Sequence, residues 1–222
     1  MKELPLFQPI DTKTWPQAQE FWYYTQAAPT TYSVTVPLDV TILRRALKQR
    51  DIRFFPAYLW LVTRAIREVP ELRVAVREGV LGHWRELTPT YPQFHPDDGS
   101  TSLLWTEFDP DFSVFYRRYL EDTARWGEDH GILTGKGAPP ENSYVISCIP
   151  WFSFDSFSLH CHGLKDYYLP SFEAGAFRRR GRRTELPLSV TVHHAVTDGW
   201  HLKQFLDRLQ DSIDHPETWL LP

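Results

Sequence analysis

Residues 189–201 carry the sequence Ser189-Val-Thr-Val-His193-His194-Ala-Val-Thr-Asp198-Gly199-Trp-His201, and this stretch decides the fold. Its first five residues alternate between polar and β-branched side chains, which is typical of a strand. From Gly199 to residue 213 the apolar residues take helical spacing instead. Adjacent strand residues point to opposite faces, so His193 and His194 cannot both face one site while the strand continues. The stretch predicts a strand, a short turn and a helix, with one histidine facing a cleft.

The histidine at the strand end is a candidate general base. Its ordinary pKa, near ~6.5, leaves the ring mostly neutral at physiological pH and able to accept a proton from a hydroxyl. A lone histidine is more often a hydrogen-bonded core residue, but the pattern His-His-x-x-x-Asp-Gly favours a functional one. Asp198 is suited to cap the following helix, and Gly199 allows a tight bend.

The rest of the chain alternates between segments with the two-residue period of a strand and segments with the 3.6-residue period of a helix. Strands are predicted at 31–38, 73–77, 80–85, 90–94, 102–108, 143–149, 156–161 and 188–193. Helices are predicted at 39–48, 56–69, 111–126 and 199–213, with another starting after Thr14 as its N-cap. Because strands and helices interleave while several strand pairs form hairpins, we expect an α/β chain of two-layer α+β type. Its mixed β-sheet is flanked by helices in a single domain over residues 1–222.

Composition excludes several classes of protein. The 222 residues are 42% hydrophobic, enough for a sizeable core, and the net charge of −4 argues against a nucleic-acid binder. No apolar stretch approaches the ~20 residues needed to span a bilayer, and the N-terminus lacks a signal peptide, so we expect a cytoplasmic protein without a membrane partner. Cys148 and Cys161 are expected to be buried thiols, with a disulfide between them left open.

The pattern His-His-Ala-Val-x-Asp-Gly-x-His, followed by an amphipathic C-terminal helix, resembles chloramphenicol O-acetyltransferase. Peptide-synthetase condensation domains and other acyltransferases share this core pattern. Further blocks occur in the order of the chloramphenicol acetyltransferase family: LDVT at 38–41, FFPA at 54–57, PELR at 70–73, LWTEF at 104–108, EN at 141–142, SCIPWFSF at 147–154 and LPLSV at 186–190. The resemblance therefore covers nearly the whole chain and implies the fold of a coenzyme A-dependent acyltransferase.

The resemblance implies an activity and three catalytic residues. His194 corresponds to the general base that takes the proton from a primary hydroxyl, whose oxygen then attacks the thioester of acetyl-coenzyme A. Ser147 corresponds to the serine that stabilises the oxyanion, and Asp198 to an aspartate that holds the catalytic loop through a salt bridge. The expected acceptor is chloramphenicol or a related small alcohol. The family forms homotrimers with active sites at the subunit interfaces.

The resemblance also assigns binding residues. The acceptor pocket would contain Tyr24, Tyr32, Thr101, Phe157 and Glu173. The coenzyme site would contain Arg53, Trp151, Phe177 and Arg178. Thr101 replaces a phenylalanine of the family, and Glu173 replaces a threonine that helps to position the acceptor. A carboxylate in this pocket would select a different hydroxyl compound, such as a cationic one, unless Glu173 points to solvent.

Two further departures from the family leave questions open. Gln17 stands where the family has the arginine that pairs with the aspartate, so another group must serve Asp198. Ala176 replaces a lysine that helps to hold a coenzyme phosphate, and five arginines follow between Arg178 and Arg183. They form either a solvated turn or a replacement phosphate site, for which the forked donors of arginine are suited.

Two other functions compete with acyl transfer. In the first, the chain is a catalytically idle trimer that binds a small apolar ligand. In the second, histidines build a metal site, and the candidates are His160, His162, His193, His194 and His201. Three nitrogen ligands suit zinc, but the spacing matches no zinc signature, so we expect no metal.

Overall fold

The computed structural model describes residues 6–161, 163 and 166–220. Its helices are α1 (Ala18–Trp22), α2 (Thr41–Gln49), α3 (Phe54–Arg67), α4 (Phe112–Trp126) and α5 (Gly199–Asp214). Its strands are β1 (Phe7–Pro9), β2 (Thr31–Asp39), β3 (Val74–Arg77), β4 (Val80–Trp84), β5 (Thr88–Phe94), β6 (Thr101–Trp105), β7 (Ser143–Cys148), β8 (Ser171–Ala174), β9 (Arg178–Arg180) and β10 (Arg183–His193). A π-helical turn (Tyr23–Ala27) continues α1, and 3-10 turns occupy Pro70–Arg73 and Pro216–Thr218.

The main sheet has mixed strand directions. Its order is β2-β10-β8-β7-β5-β6, with β9 paired to the start of β10. The neighbours β5–β7 and β7–β8 run parallel, and the other pairs run antiparallel. A small antiparallel sheet has the order β1-β4-β3. The mixed sheet flanked by helices is the architecture predicted from the sequence, and it is confirmed.

The two faces of the main sheet differ in chemistry. Leu188 and Val190 on β10 are buried in the main core, which they share with residues of α2, α3, α4 and α5. Because side chains alternate along a strand, Ser189 points to the opposite face. The register pairs Ser189 with Glu173 and Glu173 with Ser147, so three polar residues lie side by side on this second face. The fold thus presents a polar sheet surface away from the helices.

The first helix begins later than predicted. Thr14 is not an N-cap, because α1 starts at Ala18 after Gln17, whose side chain makes no capping bond. The reason lies in Asp11, whose carboxylate accepts bonds from the Lys13 amide at 3.0 Å and the Thr14 hydroxyl at 3.3 Å. A local turn around Asp11 therefore takes the place of the expected helix start.

The strand predicted at 156–161 is wrong, because these residues form no ladder. They cross the polar face of the sheet and are held by side chains. The Phe157 amide donates to the Thr35 hydroxyl oxygen at 3.3 Å, and the Ser189 hydroxyl donates to the Phe157 carbonyl at 2.7 Å. We call residues 156–161 the covering segment. The strand next to it, β8, was not predicted.

Both cysteines are free thiols, which settles the question of a disulfide. Cys148, at the end of β7, is half-buried, and burial raises the pKa of its thiol to about 11. Cys161 is exposed, contrary to the expectation, because it lies on the covering segment rather than in the core.

Among the described residues, no helix is both long enough and apolar enough to cross a bilayer. The organisation as a single domain over residues 1–222 stays a prediction.

Candidate active site

The backbone turns sharply at the pair of histidines. Strand β10 ends at His193, and the His194 amide donates to the Thr30 carbonyl at 2.9 Å. The amides of Val196 and Thr197 then return to the His193 carbonyl at 3.2 and 3.1 Å. The strand has therefore ended at His194, and its side chain does not follow the alternation of β10.

Two tyrosine rings hold the His194 imidazole. The Tyr24 ring stacks on it, with 4.1 Å between the ring centroids and 8° between the planes. The Tyr32 ring meets it at 5.1 Å and 62°. Nδ1 of His194 is enclosed without a hydrogen-bond partner, which leaves Nε2 as the nitrogen able to meet a substrate. The structure thus brings together three of the residues predicted for the active site.

The Tyr32 hydroxyl is a fixed donor beside this ring. It donates to the Thr197 carbonyl at 3.3 Å. Burial raises the pKa of Tyr32 to about 12, and the negative charge of Asp198 contributes to the rise. The hydroxyl therefore keeps its proton at neutral pH and ties β2 to the turn that carries His194.

His193 has the structural role that the alternation argument assigns to one member of the pair. Its ring packs edge-on against Tyr168 with 5.0 Å between centroids, and its Nδ1 accepts the Ala195 amide at 3.2 Å. Burial lowers the pKa of His193, and the neighbouring His194 lowers it further. A neutral His193 ring thus supports the turn while His194 faces outward from it.

Asp198 is the N-cap of α5. Its carboxylate accepts the amides of Trp200 at 2.8 Å and His201 at 3.0 Å, which satisfies two donors in the first helical turn. The Asp198 amide donates to Nδ1 of His201 at 3.2 Å, which completes a capping box. These bonds fix the turn between β10 and α5.

His201 is the side chain beside Asp198 where the resemblance leads us to expect a pairing arginine, and its Nδ1 holds the turn by accepting the Asp198 amide. Its Nδ1 lies 2.8 Å from the Asp198 carboxylate, and its Nε2 lies 3.7 Å from the Glu71 carboxylate. The side-chain nitrogen of Gln17 lies 3.4 Å from the same Nε2, while the Gln17 oxygen is buried without a partner. Turning the amide of Gln17 by 180° would give that oxygen the Nε2 proton as its donor.

Ser147 and His194 of one chain do not form one site. Ser147 lies on β7, two strands away from β10 in the sheet. It pairs with Glu173 on β8, and Glu173 pairs with Ser189 on β10. Five residues separate Ser189 from His194, about 17 Å at ~3.4 Å per residue, and two strand spacings add ~10 Å sideways. The two side chains are thus on the order of 20 Å apart along the sheet.

Glu173 is buried beside Ser147. Its exposed fraction is 1%, and both carboxylate oxygens are enclosed without a hydrogen-bond partner. Burial raises the pKa of Glu173 to about 7, and the nearby Ser171 hydroxyl opposes part of the rise. The prediction left open whether this side chain points to solvent, and the structure places it inside the protein.

A cavity of about 230 Å³ lies between the polar face of the sheet and the covering segment. Ser171, Thr191 and Val145 contribute its sheet side, and Leu159 and His160 contribute the opposite side. His193 lines one end. Since Ser171 and Glu173 share a face of β8, the Glu173 carboxyl lies next along the floor of this cavity.

The remaining acceptor residues lie apart from the cavity lining. Phe157 is half-buried on the covering segment and packs on Phe154 with 5.2 Å between ring centroids. Thr101 is exposed at the start of β6, opposite Phe94 in the register. One chain therefore does not bring Thr101 to His194 or to the cavity.

A second pocket, of about 400 Å³, is basic and aromatic. It is lined by Leu47, Ile52, Phe54, Phe177, the basic residues Arg44, Lys48 and Arg53, and the acidic Asp51. Phe177 meets the Phe54 ring at 4.9 Å, and the Arg44 guanidinium lies 4.2 Å from the Phe177 centroid. The structure thus brings together Arg53 and Phe177, two of the residues predicted for the coenzyme site.

The other two predicted coenzyme residues lie outside this pocket. Arg178 donates to the Ser153 hydroxyl and forms an ion pair with Asp155. Trp151 follows β7 with 65% of its surface exposed, and its ring meets Phe94 at 4.9 Å. The positive charge on the wall of the pocket comes from α2 and the residue before α3 rather than from the arginine run.

The histidines proposed as a metal site do not assemble. Within the described ranges, the group with potential ligand atoms inside 4.8 Å of one another is a different one, made of His95, Asp97 and His130. The rings of His95 and His130 are stacked at 4.2 Å and 23°, so their lone pairs run side by side rather than converging. His162 lies outside the described residues.

The sequence analysis did not predict Arg44 and Lys48, which line the basic pocket, or Glu71, which lies beside His201. Arg44 and Lys48 are four residues apart, which places them on one face of α2, and this spacing was a usable signal. Glu71 gave no such signal, because it reaches His201 from a 3-10 turn that is distant in sequence.

Comparison with known proteins gives one consistent result. The sequence profile of a family described as chloramphenicol acetyltransferase matches residues 6–210. A chloramphenicol acetyltransferase from Staphylococcus aureus is 38% identical over 216 residues, covering 97% of this chain and 99% of the relative. A chloramphenicol acetyltransferase from Campylobacter coli is 39% identical over 209 residues, covering 94% of this chain and 99% of that relative. A solved chloramphenicol acetyltransferase structure superposes with a TM-score of 0.84 at 22% identity, covering 94% of this chain and all of that one. The match in sequence over nearly the full length shows that this chain belongs to the chloramphenicol acetyltransferase family.

Proposed function

We propose that this chain is an acetyl-coenzyme A-dependent O-acetyltransferase that transfers the acetyl group to a hydroxyl of chloramphenicol. The observation that carries the proposal is the His194 imidazole, which two tyrosine rings hold with Nδ1 enclosed and Nε2 left for substrate. The matched relatives are named as acetyltransferases, so the alternative of an idle ligand-binding protein is not supported.

His194 acts as the general base in this proposal. Neutral Nε2 accepts the proton of the acceptor hydroxyl while the hydroxyl oxygen attacks the thioester carbon. The carbon–sulfur bond then breaks, and coenzyme A leaves as a thiolate that takes the proton back from the imidazolium. General-base catalysis of this kind is worth about 10²–10⁴-fold in rate.

Ser147 supplies the donor for the oxyanion from a second copy of the chain. Its distance from His194 of the same chain, on the order of 20 Å, excludes direct cooperation. A homotrimer with active sites between neighbouring subunits resolves this, because each site then takes His194 from one copy and Ser147 from the next. An oxyanion donor of this kind is typically worth about 2.7–4 kcal/mol of the barrier.

The basic pocket is the proposed site for the nucleotide end of acetyl-coenzyme A. Arg44, Lys48 and Arg53 offer charge for its phosphates, and Phe54 and Phe177 offer flat surfaces for an adenine ring. The proposed reaction uses no metal. Because acetyl-coenzyme A is a cytoplasmic metabolite, we keep the cytoplasmic location as a prediction.

The proposal is tested by thiol release from acetyl-coenzyme A in the presence of chloramphenicol. We expect His194→Ala to lower kcat by at least about 10²-fold, since the base is removed. His215→Ala, an exposed histidine on the far end of α5, is the matched control and should keep the parent rate. Parent-like turnover by folded His194→Ala protein would remove His194 from this role.

A further inference from the structure

Glu173 is a charged group that neither the fold nor the proposed acetyl transfer requires. Both of its oxygens are buried and unpartnered, and no ion pair to it is found within the described residues. The hydroxyl oxygen of Ser171, the next residue on the same face of β8, is also buried without a partner. The Ser171 hydroxyl can donate to one Glu173 oxygen and opposes part of the rise in the pKa of Glu173, so the other carboxylate oxygen is the one left without a donor.

Burying such groups without a partner is costly. An isolated carboxyl loses its hydrogen bonds to water, and an ionised one loses far more, so buried carboxyls are normally paired. Unpaired polar atoms inside a protein call for an explanation, and a donor supplied by a bound water or ligand is one. Here that water or ligand has to offer hydrogen-bond donors, since carboxylate oxygens are acceptors.

The position of Glu173 connects this need to a ligand. Ser171, Thr191 and Val145 form the sheet side of the cavity of about 230 Å³, and Glu173 is two residues from Ser171 on the same face. The register places Glu173 directly beside Ser147, the proposed oxyanion donor. Ser147 and Glu173 are thus the next pair along the sheet from Val145 and Ser171, which line the cavity.

Resting on the proposed function, we propose that Glu173 is a specificity-determining residue that binds a positively charged nitrogen of the acceptor. The enzyme then acetylates primary alcohols that carry an ammonium group, in addition to chloramphenicol. An ammonium supplies both the donors and the counter-charge that the buried carboxyl lacks, whereas an amide or hydroxyl supplies only donors. No carboxylate is among the described residues that line the cavity, and the Glu173 carboxyl lies two residues beyond the lining residue Ser171 on the same face of β8.

The test compares two acceptors that share one primary hydroxyl. The first is chloramphenicol, and the second is its deacylated form, 2-amino-1-(4-nitrophenyl)propane-1,3-diol, whose ammonium replaces the amide. The measured quantity is the ratio of kcat/KM for the amino diol to kcat/KM for chloramphenicol, with the product identified as the O-ester. We expect Glu173→Gln to lower this ratio by at least about tenfold, since the substitution keeps the shape and removes the charge.

Controls separate this proposal from the function on which it rests. Glu217→Gln, at an exposed carboxylate, should leave the ratio unchanged, and Glu173→Asp should retain part of the preference because it keeps the charge. An unchanged ratio in Glu173→Gln, or a parent that acetylates chloramphenicol and not the amino diol, would overturn the role of Glu173. A parent inactive on both acceptors would instead contradict the proposed function. If Glu173→Gln does not fold, the proposal is tested by the ratio of kcat/KM values measured for the parent and for Glu173→Asp.

Discussion

At the scale of single residues, Glu173 links the acceptor cavity to the stability of the protein. Burial raises its pKa from 4.5 to about 7, so the folded protein binds this proton more tightly than the unfolded chain does. Unfolding therefore releases a proton between these two values, and stability falls as pH rises through the interval. The loss is complete above pH 7 and amounts to about 3 kcal/mol.

Glu173→Gln removes this titration. Between pH 5 and pH 8 the free energy of unfolding of the parent should fall by about 2–3 kcal/mol more than that of the variant. Urea unfolding at a fixed protein concentration measures the difference, because the proposed trimer would unfold in a concentration-dependent way. Identical pH dependence of the two proteins would mean that Glu173 titrates normally in the folded state.

The residues of the site differ in how far the sequence could predict them. His194 follows from the quoted motif, the resemblance assigns Tyr24 and Tyr32 to the acceptor pocket, and the structure joins the three at ring-contact distances. The partner of Asp198 could not be predicted in this way. His201 was visible in the motif, but its second contact, Glu71, comes from a distant part of the chain.

At the scale of elements, the start of α5 depends on His201. Asp198 keeps its bonds to the first-turn amides without it, but the 2.8 Å contact of the carboxylate to the ring and the link to Glu71 are lost. We expect His201→Ala to destabilise the protein by about 1–3 kcal/mol and to lower kcat, because the turn that carries His194 loosens. Thermal unfolding and the thiol-release assay measure the two effects.

Gln17→Arg provides the matched rescue. The side-chain nitrogen of Gln17 lies 3.4 Å from Nε2 of His201. An arginine at position 17 can therefore reach the space that His201→Ala vacates and pair with Asp198. The double variant should regain part of both the stability and kcat. A double variant no better than His201→Ala alone would show that an arginine paired with Asp198 cannot replace the contacts of His201.

Helix α2 contributes a second functional face. Arg44 and Lys48 point into the basic pocket, whereas Arg45 lies next to them in sequence and does not line it. We expect Arg44→Ala to raise the KM for acetyl-coenzyme A by about tenfold, the effect of losing one charge-assisted bond to a phosphate. Arg45→Ala, which removes the same charge, should leave this KM unchanged. Equal effects of the two variants would point to net charge rather than to the pocket.

Two elements differ from the sequence prediction, the covering segment and β8, and each has its own physical cause. The covering segment has the alternation of a strand, but its bonds go to the Thr35 and Ser189 side chains rather than to a neighbouring backbone. Strand β8 is four residues long and includes a buried carboxylate, so neither length nor hydrophobicity marks it. In contrast, β10 and α5 carry strong periods of their own, and their boundaries fall within two residues of the predicted C-terminal strand end and helix start.

At the scale of the whole molecule, the proposed active site is a property of the assembly. Ser147 lies on the order of 20 Å along the sheet from His194 of the same chain. Trp22 and Tyr23, next to Tyr24, are 62% and 49% exposed, which is the kind of surface that a neighbouring subunit covers. In the proposed mechanism a complete site therefore needs two copies, and this requirement can be tested without solving the assembly.

Mixed oligomers of two inactive variants provide the test. His194→Ala chains keep Ser147, and Ser147→Ala chains keep His194, so a site between one chain of each kind holds both groups. Random assembly of equal amounts should make about a quarter of all sites complete, because the two required chains must meet in the right order. Co-expression with two different affinity tags and sequential purification isolates the mixed species, and thiol release then measures their activity.

The outcome discriminates because a site built within one chain cannot be restored in this way. Mixing separately purified variants without unfolding keeps the chains apart and serves as the control for residual activity. We expect the co-expressed species to exceed this control by at least about tenfold, since loss of an oxyanion donor alone costs about 10²–10³ in kcat. Activity equal to the control would place His194 and Ser147 in one subunit, against the sheet register that separates them.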